Sequence, residues 1–95
     1  MKPLRFEWDT GKNIENQRKH GVSFEEAQAV FLDENGLLIH DPDHSHDEDR
    51  FVLLGLSAKV RILAVCHCFR KSDEIIRIIS SRKATRSEQK RYRER

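Results

Sequence analysis

The chain has 95 residues, of which 37% are hydrophobic and 36% are charged, and its formal net charge is +2 at pH 7. This length predicts a single small domain over residues 1–95, and the content of Ile, Leu, Val and Phe excludes wholesale disorder despite the high charge. No apolar run approaches the ~18 residues that span a bilayer, and the polar N-terminus "MKPLRFEWD" lacks the apolar centre of a secretory signal, so we expect a cytoplasmic protein with no membrane role.

The first third of the sequence predicts two helices. Asp9 can cap a helix that runs to about His20, and Gly21 stands where a left-handed residue usually ends one. Ser23 and Glu26 form a capping box that opens a second helix. Its apolar side chains recur at helical spacing, at Phe24, Ala27, Val30 and Phe31. That stripe should face the core.

From Leu37 onward the apolar pattern changes from helical to extended. Four segments rich in Val, Ile, Leu and Phe follow one another: "LLIHD", "RFVLLGLS", "VRILAVCHCF" and "EIIRIISS". They predict a four-stranded antiparallel sheet. Thr85 and Glu88 then form another capping box, which starts a C-terminal helix through about Arg93. The predicted order, α-α-β-β-β-β-α, defines an α+β domain.

Positive charge is concentrated at the C-terminus, where seven Arg or Lys residues fall between Arg82 and Arg95. Helical numbering places three of them on one stripe with an aromatic ring near its edge: Arg86, Lys90, Arg93 and Tyr92. Such a stripe could hold phosphates and stack one base. Arg82 and Lys83 precede the helix N-terminus, where the helix dipole adds to their attraction for an anion. The alternative is that the charge only keeps an exposed helix soluble.

The third and fourth predicted strands carry a second candidate group. Alternation places Arg61 and His67 on one face of the third strand, and Ser80 and Arg82 on one face of the fourth. A hairpin loop with an even number of residues brings His67 beside Ser80 and Arg82, whereas an odd number brings it beside Arg77. We prefer the even loop because it adds a helix N-terminus to the group. Ordinary rim positions are the alternative for each polar residue.

This group suits RNA cleavage without a metal. The reaction needs a base for the 2′-OH proton, cations for the charge that grows on phosphorus, and an acid for the leaving 5′-oxygen. Histidine transfers protons near neutral pH, and arginine binds phosphate oxygens in pairs. The candidate catalytic residues are therefore His67, Arg77 and Arg82, with no metal or cofactor.

The segment "HDPDHSHDED" places His40, His44 and His46 among carboxylates. The order matches no zinc spacing and lacks the glycine of an EF-hand loop. We interpret it as a flexible acidic loop rather than a metal site.

A third basic group, Arg18, Lys19 and His20, falls at the end of the first helix. Stabilisation by the helix dipole is a sufficient structural reason for cations there. Contact of Lys19 and His20 with RNA is the second interpretation.

Several stretches, spread over nearly the whole chain, form one ordered set. They are "FEWD" at 6–9, Lys12, Asn16, "KHGVSFEEA" at 19–27, Phe31, "RFVLLGLS" at 50–57, "IRIISSRKAT" at 76–85, Glu88 and Tyr92. Together they resemble the BrnT toxins of bacterial type II toxin–antitoxin systems.

The resemblance implies a fold related to RelE-type toxins and an endoribonuclease activity that halts translation and growth. It also implies a BrnA-like ribbon-helix-helix antitoxin, whose dimer brings two toxins together and binds operator DNA. It places the RNA site on the sheet face and the final helix, at His67, Arg77 and Arg82 with Lys83, Arg86 and Tyr92 around them. The role of His67 as base follows from chemistry, not from the resemblance.

Two other functions fit the same sequence. The tail could grip a nucleic acid without cutting it, or the domain could be a protein-interaction module whose tail meets an acidic partner. Product analysis separates cleavage from binding, since only the first yields shortened RNA.

Overall fold

The chain folds into three α-helices and a five-stranded sheet, in a computed structural model that describes residues 4–46 and 48–94. The elements in chain order are β1 (Arg5–Glu7), α1 (Thr10–His20), α2 (Phe24–Ala27), β2 (Leu37–His40), β3 (Phe51–Leu56), β4 (Ile62–Arg70), β5 (Ile75–Lys83) and α3 (Arg86–Glu94). Short 3-10 turns cover Gln28–Leu32 and Pro42–His44. The predicted α+β class is confirmed. Within the described ranges, no helix is both long and apolar enough to cross a membrane.

The predicted starts of both N-terminal helices and the predicted end of the first are confirmed. The Asp9 side chain accepts a hydrogen bond from the Lys12 N–H at 2.9 Å, and Gly21 ends α1 with φ of 68°. The Ser23 hydroxyl accepts from the Glu26 N–H at 3.0 Å. The second helix is shorter than predicted, because α2 makes one turn and then tightens into a 3-10 turn.

The sheet has the strand order β1-β5-β4-β3-β2. Strands β2 to β5 form the predicted antiparallel meander, but β1 pairs parallel to β5, with Glu7 opposite Arg77. The prediction of a four-stranded antiparallel sheet is therefore wrong. Three residues are too few to show alternation, and β1 is held by packing, since Phe6 meets Phe31 edge-on at 5.4 Å. The RelE-like relation stays a prediction.

The core lies between the sheet and the two N-terminal helices. Its most buried side chains are Val22, Phe24, Val30, Leu63, Val65 and Ile78. The side-chain amide of Asn16 on α1 bonds to the backbone of Ser81 in β5. Its oxygen accepts a hydrogen bond from the Ser81 N–H at 3.1 Å, and its NH₂ group donates one to the Ser81 carbonyl at 2.7 Å. These bonds fix α1 on β5. We call this side the helix-covered face and the opposite side the distal face.

A β-bulge interrupts the pairing of β4 with β5. His67 lies opposite Ile78, but the preceding residue, Cys66, lies opposite Ser80, so Ile79 is an extra residue in β5. A bulge shifts side-chain alternation by one position. Ile78 therefore faces the core, and two residues later Ser80 faces the distal side.

The bulge decides which candidate residues share a face of the sheet. Strict alternation would place Arg77 and Arg82 on opposite faces, because they are an odd number of residues apart. Arg77 lies before the bulge and Arg82 after it, so both side chains lie on the distal face. His67 stays on the helix-covered face, where it is fully buried. The predicted grouping of His67 with either arginine is wrong. The hairpin loop 71–74 has an even number of residues, which already places Arg77 on the face opposite His67, and the bulge then turns Arg82 to that opposite face as well.

Candidate nucleic-acid interface on the distal face

Four guanidinium groups reach the distal face of the sheet. Arg77 and Arg82 come from β5 and Arg70 from β4, while Arg50 precedes β3 and lines the same cavity as Arg82. Two of these side chains converge on Glu7 of β1. Its carboxylate lies 2.7 Å from Arg77 and 3.9 Å from the Arg70 Nε. The parallel strand that the sequence did not reveal thus orients the arginines at this end.

Arg82 is held by a two-pronged ion pair with Glu88 on α3. The N–O distances are 2.6 and 3.0 Å, and the same carboxylate accepts from the Thr85 N–H at 2.9 Å as part of the predicted capping box. Bonding to Arg82 is the main reason that the pKa of Glu88 falls to about 2. The pair raises the pKa of Arg82 in turn. The guanidinium is therefore aimed by the first turn of α3.

A cavity of about 260 Å³ opens beside Arg82. Its lining comes from β3, β4, β5 and the loop after β2: Asp41, His44, Arg50, Val52, Cys66, Ile79, Ser80 and Arg82. Partial burial raises the pKa of the Cys66 thiol, and nearby Arg50 opposes that shift. The cavity is thus walled by two arginines on one sheet face, next to an imidazole and a carboxylate from the loop.

His67 lies outside this arrangement. Its Nδ1 lies 3.0 Å from the Val65 carbonyl, and its ring meets Phe31 and Phe69 edge-on, with centroids 4.8 and 5.3 Å apart. Burial lowers the pKa of His67, which favours the neutral ring. The fully buried Nε2 has no hydrogen-bond partner among the described residues. This position gives no support to His67 as a base for RNA, and its catalytic role stays a prediction.

The candidate RNA-binding residues near the C-terminus fall in three different places. Lys83 lines a separate cavity of about 340 Å³ beside Arg93. Arg86 is exposed at the start of α3. Tyr92 is half-buried, and its hydroxyl donates to Asp33 at 2.5 Å, which leaves only part of the ring for stacking.

Lys19 and His20 are exposed at the end of α1. Because α1 packs on the helix-covered face, the structure does not bring them beside Arg82. Arg61, once grouped with His67, instead supports the fold. It forms two 2.7 Å bonds to the buried carboxylate of Glu26.

Sequence reasoning missed three contributors to the distal face. Glu7 was hidden because β1 is too short to show a pattern. Asp41 and His44 were assigned to a loop without chemistry, although their spacing of three residues around Pro42 is compatible with a contact across one 3-10 turn. No group of three or more His, Cys, Asp or Glu residues that could hold a metal occurs in the described part of the chain.

These features define a small α+β protein with an arginine-rich sheet face. Comparison with family models gives a match over residues 8–88 to the family described as "Ribonuclease toxin, BrnT, of type II toxin-antitoxin system". No curated protein matches the chain. The chain belongs to the BrnT toxin family, whose type II systems pair a toxin with a protein antitoxin.

A solved relative has the same fold. The 1.1 Å crystal structure of the Brucella abortus ribonuclease toxin BrnT superposes with a TM-score of 0.65 and 26% sequence identity. The match covers 88% of this chain and 100% of that protein. The expected resemblance to BrnT toxins is therefore confirmed in sequence and in fold.

Proposed function

We propose that this protein is a metal-independent endoribonuclease that cleaves cellular RNA, and so inhibits translation and growth in the bacterial cytoplasm. The observation that carries the proposal is that Arg77 and Arg82 lie on the same distal face, within a chain of the BrnT toxin family. Fixed guanidinium groups bind phosphate oxygens and stabilise the charge of a phosphorane. Arg86 at the exposed start of α3, and Lys83 in its separate cavity, would contact phosphates farther along the RNA strand.

Cleavage would use the RNA's own 2′-oxygen as nucleophile. DNA lacks that oxygen, so a strand without it should bind and stay intact. The arginines neutralise charge without a metal ion, which makes activity in a chelator the expected behaviour.

The direct test is incubation with a mixed-sequence RNA transcript in excess EDTA, both free and during translation in an extract. We expect shortened RNA with 2′,3′-cyclic phosphate ends. Arg82→Gln should reduce cleavage by about 100-fold or more, as removal of one preorganised charge donor does elsewhere. Arg18→Gln is the matched control, because this exposed arginine lies on α1.

Intact RNA in both settings would contradict the proposal and favour a module that binds nucleic acid without cutting it. Full activity in a folded Arg82→Gln protein would show that RNA is not cleaved at the distal face.

The proposed partner is a small ribbon-helix-helix antitoxin of the BrnA type, with two toxins on an antitoxin dimer and operator DNA bound only through that complex. Family membership supports an antitoxin partner. Co-expression with the product of the adjacent reading frame, followed by light scattering of the purified complex, tests this arrangement. A monomeric toxin that captures no such protein would contradict it.

A further inference from the structure

The histidine-rich loop after β2 brings an exposed imidazole to the arginine cavity on the distal face. Asp41 and His44 line this cavity of about 260 Å³ together with Arg50, Ser80 and Arg82. His46, from the same loop, is not among its lining residues. The face from which buried His67 is excluded therefore has another histidine available.

Hydrogen bonds fix this part of the loop at its base. The Asp41 N–H donates to the Arg50 carbonyl at 2.8 Å. The Ser45 hydroxyl donates to the Asp41 carbonyl at 2.5 Å and accepts from the Arg50 N–H at 2.9 Å. The 3-10 turn that carries His44 is thus joined to the start of β3, so its ring has a defined position beside the cavity.

The contact between Asp41 and His44 also determines which ring nitrogen of His44 can accept a proton. His44 Nδ1 lies 2.9 Å from Asp41 Oδ2. An ionised carboxylate only accepts hydrogen bonds, so Nδ1 carries the proton and Nε2 carries the lone pair. The Asp41 side chain is 22% exposed and that of His44 is 68% exposed. A held carboxylate that orients an accessible imidazole is the arrangement used to prepare a general base.

The two arginines of the cavity can receive the phosphate. Glu88 and the Lys83 carbonyl engage three of the five N–H groups of Arg82, which leaves two for a ligand. Among residues 4–46 and 48–94, no carboxylate pairs with the Arg50 side chain. One cavity therefore combines an oriented base with two phosphate-binding cations.

We propose that His44, oriented by Asp41, is the general base for RNA cleavage, with Arg50 and Arg82 binding the scissile phosphate; this inference rests on the ribonuclease function proposed above. Nε2 of His44 removes the 2′-OH proton, and the 2′-oxygen forms a bond to phosphorus. The bond from phosphorus to the 5′-oxygen breaks, and that oxygen takes a proton from water. The products are a 2′,3′-cyclic phosphate and a 5′-hydroxyl, and His44 returns its proton to solvent.

The test compares His44→Gln, Asp41→Asn and His46→Gln with the unaltered protein. The substrate is a mixed-sequence transcript in EDTA, free and during translation, and initial rates are measured across pH. His44→Gln should lower kcat by about 100-fold to 10,000-fold with little change in KM, the usual contribution of acid–base catalysis. Asp41→Asn should lower kcat by about 10-fold, since Asn keeps a contact but loses the charge. His46→Gln should leave both constants unchanged.

Three further readouts separate a base from a merely structural residue. The unaltered protein should lose activity on the acid side as the imidazole becomes protonated, and His44→Gln should lack that limb. The titratable and charged groups that line cavities with His44 are Asp41, Arg50, Cys66 and Arg82 on one side and Asp43, His46, Glu48 and Arg50 on the other. Only His46 among them is a second imidazole, which is why His46→Gln is included as a control. Added imidazole should partly restore His44→Gln. Binding of 2′-O-methyl RNA, which cannot be cleaved, should be equal in both proteins.

The outcomes distinguish this inference from the function on which it rests. Intact RNA with the unaltered protein would overturn both. Cleavage by the unaltered protein and an equal kcat for His44→Gln would overturn only the assignment of His44. If His44→Gln fails to fold, the assignment is tested by Asp41→Asn and by the pH profile of the unaltered protein. Activity that does not fall on the acid side would refute the role of His44.

Discussion

Replacing Glu88 by Gln removes one charge from the ion pair that aims Arg82, and should destabilise the protein most at neutral pH. Glutamine keeps an oxygen for the Thr85 N–H, so the helix cap survives while the ion pair is lost. A fall in the pKa of Glu88 from 4.5 to about 2 corresponds to roughly 3 kcal/mol at full strength. Arg82 is 41% exposed, and solvent screening of such pairs reduces the expected loss to about 1–2 kcal/mol.

The contribution of Glu88 to folding stability changes with pH in a defined direction. A carboxyl whose pKa is lowered by folding stabilises the protein above its unfolded pKa, and that contribution is lost as pH falls from 4.5 through about 2. Urea denaturation over this range should show the difference between Glu88→Gln and the unaltered protein shrinking as the buffer becomes more acidic. Glu94→Gln, at the exposed end of the same helix, is the control and should change stability by less than about 0.5 kcal/mol. Equal losses in both variants, or a difference that persists at the acid end, would refute the reasoning.

Three other substitutions test the surroundings of the site. Arg61→Ala should cost about 3 kcal/mol in urea denaturation, because the carboxylate of Glu26 stays buried without its main partner; a loss below about 1 kcal/mol would contradict this. His67→Leu should keep RNA cleavage and should weaken the decline in stability as pH falls below about 6.5, where the unfolded histidine gains a proton more readily than the buried one; abolished cleavage in a folded variant would restore His67 as a catalytic candidate. Tyr92→Phe should lower stability by about 1 kcal/mol through loss of its hydrogen bond to Asp33, measured by thermal melting.

Local signals in the sequence were sufficient to predict the helix ends and the central meander. Asp9, Gly21 and Ser23 each act on backbone groups a few residues away, so their roles can be assigned without knowledge of tertiary contacts. The β1 pairing has no such signal. It depends on the contact of Phe6 with Phe31, which are distant in sequence and meet only after the sheet and helices have packed.

The site was harder to predict than the fold because one extra residue in β5 changes the sheet face on which the following side chains lie. Alternation along β5 separates Arg77 from Arg82, and only the bulge at Ile79 brings them to the same side. His67 could not be classified by residue type, since burial rather than spacing distinguishes a core imidazole from a reactive one. His44 was set aside with its loop, although its relation to Asp41 across a single turn was visible in the sequence.

Chemical-shift mapping with 2′-O-methyl RNA tests most directly whether the distal face is the RNA surface. Backbone amides of the ¹⁵N-labelled protein can be followed during titration with an oligonucleotide that binds but cannot be cut. We expect the largest chemical-shift changes at Ser80, Arg82 and the loop around His44, and we expect these changes to weaken steeply with added salt. Changes confined to the exposed end of α1, with the amides of β5 unaffected, would contradict this expectation.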